Sequence, residues 1–445
     1  MSKTSALFPR NFHKTFPIAV RGEGCWLYTQ DGRKFLDAAG SAAVVNIGHG
    51  VPEIAAAMSA QASQLAFAHT SQFHNSPAEK LAARLLALAP PNFRNGRVYF
   101  TSGGSESTET AIKLVRQYFL ELGQPHRCRV LSRRQSYHGS TFGAMTVSGN
   151  VARRAPYIPL LQEWGHIAPC FCYHCPFDKT YPDCALACAD DLDTTLQATH
   201  TASAAAFIFE PVVGATLGAA GAPDASYFAR IAEIAHRHNL FLISDEVMTG
   251  LGRTGKPFAL EHSALEPDLI LTGKGIASGY APLGAVLVSS RIADAFAQGS
   301  GSFKHGFTYQ AHPVCTAAGN AVLDYLESHR LFDAVQPVAE TLLAALAPLA
   351  THPHVGEIRG QGLLLALEFV QNKSTRQPFP ASDRIAEKIQ AAAMNHGVLT
   401  YPTQGCFDGI QGDHILLAPP FTLTSDESAQ IAQALSSALK AVFPN

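Results

Sequence analysis

Two apolar runs in this chain end in opposite charges. Leu240-Phe-Leu-Ile-Ser-Asp245-Glu246 closes on a carboxylate, and Asp268-Leu-Ile-Leu-Thr-Gly273-Lys274-Gly275 closes on a lysine held between glycines. Desolvating a carboxylate at the end of a buried strand is costly unless a cation meets it. If both runs are neighbouring parallel strands, Asp245 and Lys274 emerge at the carboxyl edge, where open α/β sheets bind ligands. An amine there suits imine formation with an aldehyde, and flanking glycines let the backbone pass close to a ligand. The aspartate suits a protonated pyridine nitrogen. Such a charge-assisted pair keeps the ring cationic, so that it withdraws electrons from a carbon losing its proton. An ordinary buried salt bridge between the two residues is the plainer alternative.

Three further segments carry polar groups at the ends of apolar runs. Thr101-Ser-Gly-Gly-Ser-Glu-Ser-Thr-Glu-Thr110 joins a strand to a helix. A phosphate can accept there from the amides of Gly104 and Ser105 and from the Ser105 hydroxyl, and Glu106 and Glu109 suit the first turn. A simple serine N-cap fits the same residues. Tyr137-His138-Gly139 offers an aromatic to stack on a flat ring, or merely to pack a loop. Glu210-Pro211 ends another apolar run, and Glu210 can bond a ring substituent or cap a loop.

The elements that must position these groups are legible as patterns. Between residues 96 and 290, short β-rich runs at 97–101, 129–132, 206–210, 240–245, 268–272 and 285–289 alternate with helical periodicity. Their continuous apolar character is that of strands covered on both faces. A helix over 105–122 carries Ile112, Val115, Phe119 and Leu122 at helical spacing, with Gly123 as a stop. The fold class is therefore α/β, with a mostly parallel central sheet flanked by helices. The ends read differently. Residues 17–40 form a hairpin pattern (18–20, 26–29, a turn at Asp31-Gly32, then 34–37). Helices and short strands (362–369, 414–418) follow residue 331. A large domain over 66–330, beside a smaller α+β domain built from 1–65 and 331–445, is the expected organisation.

Bulk properties narrow the partners. The 445 residues are 47% hydrophobic and 15% charged with a formal net charge of −2, enough for a large core and more than one domain. Nothing resembles a basic, aromatic-interleaved stripe, which argues against nucleic acid and for small-molecule substrates. The opening MSKTSALFPRNFHK has no apolar leader core, and the apolar stretch at 204–221 is interrupted by Glu210 and Pro211. A cytoplasmic protein without a membrane partner is expected. Nine cysteines, an odd count, suggest reduced thiols rather than a disulfide framework.

In this order the segments resemble the class III aminotransferases, pyridoxal-phosphate enzymes of fold type I that include ω-amino acid and amine transaminases. The resemblance runs from Asn46-Ile-Gly-His49-Gly50 to Leu417-Ala-Pro-Pro420. Its most specific parts are Asp245-Glu-Val-Met-Thr-Gly-Leu-Gly-Arg-Thr-Gly255, with Lys274 19 positions further on, and Gly306-Phe-Thr-Tyr-Gln-Ala-His-Pro313. It implies that Lys274 is the Schiff-base lysine and moves the proton, and that Asp245 pairs with the pyridinium. It further implies that Val247 packs on one ring face, with Tyr137 and His138 over the other. Gly104 and Ser105 would hold the phosphate, and Glu210 would lie near the ring hydroxyl. Thr308 would reach the cofactor of the partner subunit in a homodimer, with a tetramer left open. The implied reaction is ping-pong: an amine or ω-amino acid donor, then a 2-oxo acid acceptor such as pyruvate. Decarboxylases and racemases of the same fold share Lys274 and Asp245 and are the nearest alternative.

Two other patterns compete, and two positions depart from the family. Gly250-Leu-Gly252-Arg-Thr-Gly255 matches the dinucleotide fingerprint of a NAD-dependent dehydrogenase, but Lys256-Pro257 follows where a helix should begin. Cys170-Phe-Cys-Tyr-His174-Cys175, then Cys184 and Cys188, could ligate zinc or an iron–sulfur cluster, with tolerable Cys172-x-x-Cys175 and Cys184-x-x-x-Cys188 spacing, but the segment is a proline-broken loop, and no metal is expected. His236 and His238 end a helix, where cations suit the dipole. The arginine that many ω-transaminases use for the acceptor carboxylate is replaced by Thr400 and Tyr401. Ala43 stands where an aromatic is common and implies a roomier pocket. Arg359 is a candidate carboxylate partner or a structural residue of the small domain.

Overall fold

In a computed structural model the described residues are 6–198 and 201–444; residues 1–5, part of the stretch read above for a leader, lie outside them. The chain opens with a meander of β1 (Ala19–Glu23), β2 (Trp26–Thr29) and β3 (Lys34–Asp37). The central sheet then takes β4 (Arg97–Thr101), β5 (Arg129–Arg133), β6 (His166–Ile167) and β7 (Ala204–Phe209). After a short ribbon of β8 (Val212–Val213) and β9 (Ala220–Gly221), it adds β10 (Phe241–Asp245), β11 (Leu269–Thr272) and β12 (Gly284–Val288). Across the sheet the order is β4-β12-β11-β10-β7-β5-β6. Strands β11, β10, β7, β5 and β6 are parallel, and β12 runs antiparallel to both of its neighbours.

The continuous apolar runs arise because both faces of the sheet are covered. From β7, Phe207 and Phe209 point toward Tyr227 and Ile231 of the Ala225–Arg237 helix. Their neighbour Ile208 points the other way, with Ile243, toward Leu114, Val115 and Phe119 of the Gly104–Glu121 helix. Each such side chain removed from water contributes about 1.5–3 kcal/mol.

The two ends of the chain meet. β3 pairs in parallel with β15 (Val398–Leu399), joining the N-terminal meander to a C-terminal segment. A separate antiparallel sheet holds β13 (Val355–Gln361), β14 (Leu364–Phe369), β17 (Asp413–Leu417) and β16 (Tyr401–Gln404). The stretch Leu331–Thr351 is long and apolar enough to cross a membrane by length and composition. Its Leu331, Val335, Ala339, Leu342 and Leu346 recur at helical spacing and are buried in the main core, as in a packed amphipathic helix.

Arg253, in the loop after β10, knits these parts together. It is fully buried and donates to the carbonyls of Val45 (3.2 Å), Leu363 (3.1 Å) and Pro419 (2.5 Å), with its guanidinium over the Phe421 ring. One side chain thus ties the N-terminal segment, the central loop and the C-terminal sheet. Arg253→Met should fill the space yet strand three buried acceptors, lowering stability by about 3 kcal/mol or more. Urea unfolding monitored by circular dichroism checks this; a loss below about 1 kcal/mol would mean that water satisfies those carbonyls.

Candidate active site

Parallel strands deliver their carboxyl ends to one edge. The register places Asp245 opposite Leu271, three residues before Lys274, and Ser244 opposite Phe209, the residue before Glu210. Tyr137 and His138 follow β5, the other neighbour of β7. From β4, Thr101 pairs with Gly284 and brings Gly103, Gly104 and Ser105 to the same edge.

Asp245 is buried, and its Oδ2 lies 2.7 Å from His138 Nδ1 while Oδ1 accepts from the Val247 amide at 3.1 Å. The His138 ring is itself fully buried; Thr108 Oγ1 donates to its carbonyl (2.7 Å) and its amide donates to Ser148 Oγ (2.8 Å). His138, expected beside Tyr137 over a ring face, is engaged with Asp245 instead of being exposed, and its hydrogen bond satisfies a carboxylate that no lysine or arginine pairs among the described residues.

Glu210 accepts from the Tyr137 amide (2.9 Å) and from the Gly214 amide (3.3 Å), and Arg133 donates to the Glu210 carbonyl. Burial pushes the Glu210 carboxyl above its ordinary range. Burial also pulls the Lys274 ammonium down to about 8, against the opposing pull of Asp245 and Glu210. Lys274 has φ +43°, a left-handed conformation that a non-glycine residue adopts only when its surroundings impose it. Its flanking glycines serve proximity instead. A Cβ at Gly275 would meet Asn46 Nδ2 at 3.0 Å, and one at Gly273 would meet the Gly104 nitrogen at 3.4 Å.

At the other end of the cleft the Gly104–Glu121 helix begins without a side-chain cap. Among the described residues the amides of Gly104 and Ser105 have no acceptor, and a Cβ on Gly103 would meet open space. A Cβ on Gly104 would lie 2.9 Å from Val247 Cγ1, so only glycine lets this helix end press against Val247. Ser105 Oγ accepts from the Ser140 amide at 3.0 Å, and the Tyr137 hydroxyl meets Ser140 Oγ at 2.9 Å. The two acids expected in the first turn are occupied elsewhere: Glu106 accepts from the Ser102 amide (2.8 Å) and Glu109 from the Gly143 amide (2.8 Å). The cleft therefore combines a desolvated lysine amine, a buried anion and a free helix N-terminus. A flat, cationic ring with an anionic tail fits that donor set.

The remaining candidates divide. Ala43 and Tyr401 share one apolar cluster with Val212, two residues beyond Glu210. Ala43 closes a left-handed turn (Ser41 φ +47°, Ala42 φ +70°, Ala43 φ +58°) that Asp37 holds through the Ser41 amide (3.0 Å) and hydroxyl (2.8 Å). Thr400 is buried, and its hydroxyl has no partner among the described residues. Arg359 is structural and not a free carboxylate partner. It binds Glu368 (2.6 Å), Glu357 (2.9 Å) and the carbonyls of Gly218 (2.7 Å) and Leu217 (2.5 Å). Thr308 is exposed and lines a surface cavity with His69, Tyr99 and His305, which none of the cleft residues above lines.

The segments behind the competing patterns also have definite surroundings. Gly250 to Gly255 folds back on itself, with the Leu251 amide on the Pro257 carbonyl (2.7 Å), and no helix starts there. Buried Glu246, pushed up to about 7 by desolvation, locks that loop through the amides of Ala259 (3.0 Å) and Leu260 (2.9 Å). The 170–188 segment packs its Phe171 against Arg359 and its His174 against Glu368. Its cysteines are free thiols, and no three His, Cys, Asp or Glu side chains group as metal ligands among the described residues.

Fold and cleft together are those of a fold type I pyridoxal-phosphate enzyme, and the comparisons agree. The Thermomicrobium roseum (S)-enantioselective ω-transaminase superposes with a TM-score of 0.91 at 35% identity, over 99% of this chain and 97% of that one. The PLP-bound amine transaminase of an uncultivated Pseudomonas species gives 0.90 at 36%, over 100% and 98%. The family model "Aminotransferase class-III" matches residues 7–439, and the chain belongs to that family of pyridoxal-phosphate aminotransferases. Among sequence relatives, the uncharacterized aminotransferase YodT of Bacillus subtilis is 37% identical over 99% of both chains. The tomato chloroplastic gamma aminobutyrate transaminase 3 is 33% identical, over 98% of this chain and 83% of that one.

The depressed ammonium has a measurable consequence. Only the neutral amine attacks an aldehyde, so the rate at which cofactor-free protein captures pyridoxal phosphate should rise with pH and level off above about 8. Stopped-flow absorbance from pH 6 to 10.5 checks this. A rate still climbing toward the ordinary lysine value, roughly 10.4, would show that Lys274 is not desolvated.

Proposed function

We propose that this aminotransferase moves an amino group from an amine or ω-amino acid to a 2-oxo acid such as pyruvate, in two ping-pong half-reactions. The observation that carries the reading is the convergence, at one sheet edge, of Lys274, whose ammonium burial disfavours, and a buried carboxylate backed by a histidine. The relatives support the substrate class, since they include a gamma aminobutyrate transaminase and amine and ω-transaminases. They also favour transamination over decarboxylation or racemisation.

Bound pyridoxal phosphate supplies an aldehyde carbon to take up the amino group and a ring to draw electrons from the reacting carbon. Every other task falls to the chain. Lys274 Nζ anchors the cofactor at rest. With the cofactor bound, Lys274 Nζ, as a neutral amine, would take up and give back the proton of the donor carbon, a role that its depressed basicity favours near neutral pH. Asp245 keeps a proton on the ring nitrogen, and His138 Nδ1 holds that carboxylate in place. Val247 and Tyr137 close the two ring faces. The amides of Gly104 and Ser105, with the Ser105 hydroxyl, take the phosphate at the helix N-terminus. Glu210, kept close by the Tyr137 amide, serves the ring hydroxyl. Ala43, Thr400 and Tyr401 shape the substrate side. Thr308, on the surface of its own chain, completes the phosphate site of the partner subunit in a homodimer.

An absorbance spectrum tests this directly. The purified protein should show a band above 400 nm (an approximate position, set by the cofactor's conjugation) that bleaches with an amine donor and returns with pyruvate. Lys274→Ala should lose that cycle, with turnover down about 10³-fold or more while the fold persists. Near-normal turnover in that variant would sink the assignment.

A further inference from the structure

The proposed acceptor carries a carboxylate, and the cleft as described holds no obvious cation for it. Residues 400–412, at the position where the family places an arginine, contain neither lysine nor arginine. Arg359 has its donors engaged by two glutamates and two carbonyls, and Arg253 is buried among carbonyls. Arg133 is buried and donates to the Glu210 carbonyl.

Arg153 is different. It is exposed, and its guanidinium carbon sits 4.8 Å from the centre of the Tyr137 ring, with Nη1 3.4 Å from the Tyr137 hydroxyl. Its guanidinium contacts among the described residues are this ring and this hydroxyl, neither of them a carboxylate. The segment that carries it also touches the arginine-free loop: a Cβ on Gly409 would lie 2.5 Å from Val151 Cγ2. Gln135, two residues before Tyr137, fixes the same loop through the carbonyls of Gly405 (3.0 Å) and Cys406 (2.9 Å). Arg153, Tyr137 and that loop therefore form one rim. The positive charge of Arg153 is close enough to be felt at Lys274.

We propose that Arg153 is the specificity-determining residue that receives the carboxylate of the 2-oxo acid acceptor, in place of the arginine missing from 400–412. The inference rests on the transaminase reading above. A guanidinium held, among the described residues, by a ring face and one long hydrogen bond swings at little cost, and its planar fork matches a carboxylate with two parallel bonds. With an acceptor lacking a carboxylate, the side chain stays on Tyr137.

Steady-state kinetics of the holoenzyme with 1-phenylethylamine as donor, and pyruvate or butanal as acceptor, tests this on wild type, Arg153→Ala and Arg153→Lys. In Arg153→Ala the ratio of kcat/KM for pyruvate to that for butanal should fall about tenfold to a hundredfold, chiefly through KM. Arg153→Lys should recover part of it, keeping charge without the fork. Propionate, which cannot react, gives a second readout: the concentration at which it shifts the cofactor absorbance should rise by a similar factor. An unchanged ratio with unchanged propionate affinity would overturn the proposal. So would equal losses for both acceptors together with weaker retention of pyridoxal phosphate, which would make Arg153 a cofactor ligand. A wild-type band that no amine donor bleaches would overturn the transaminase reading itself.

Discussion

A carboxylate buried at the end of a strand is the constraint around which this protein is organised. Taking Asp245 out of water costs several kcal/mol, and what the protein supplies in return is one histidine and one backbone amide. The site is ordered but under-neutralised. Such a carboxylate favours a cation that arrives from the open side of the cleft, and any ligand that brings one stabilises the folded state by its binding free energy. The depth of His138, anchored through Thr108 and Ser148, keeps Asp245 from turning away from that position.

Much of the surrounding architecture maintains close approach at the sheet edge. Gly104 presses on Val247, Gly275 admits Asn46, and Gly139 passes beside Ser105, where a Cβ would lie 2.7 Å from the serine oxygen. Asn46 in turn donates to the Gly275 carbonyl at 3.1 Å, so the N-terminal segment helps to fix the backbone next to Lys274. Left-handed backbone occurs at Lys274 and in the turn ending at Ala43. Both conformations cost energy locally and persist because packed neighbours define them, as with Asp37 below the Ala43 turn. Rigidity around the cleft is therefore distributed over segments distant in sequence, with Arg253 joining three of them.

Much of the fold was legible in the chain. The runs at 97–101 and 240–245 became β4 and β10 with shifts of at most one residue, because buried parallel strands need unbroken apolar sequence. The same uniformity hid direction: nothing in 285–289 announces that β12 runs antiparallel. The strand at Val355–Gln361 was missed because its mixed burial and interleaved polar residues lack a clear period. Asp245, Lys274, Glu210 and Gly104 were legible as candidates because each sits at or within three residues of the end of an apolar run. Arg153 gave no such signal, being one of two adjacent arginines away from any strand end.

The sequence by itself determined the chemistry on offer: a lysine and an aspartate at strand ends, a glycine-rich helix start, and the patterned runs that carry them to one edge. Those features are local, encoded in the order of a few residues. Tertiary structure alone decided how each charge is used. His138 reaches Asp245 across 107 positions, and Arg359 reaches the Gly218 carbonyl across 141. Whether a polar side chain is free for a ligand or already satisfied depends on such distant partners. Burial makes every unpaired group costly, so the folded chain settles which ones remain open.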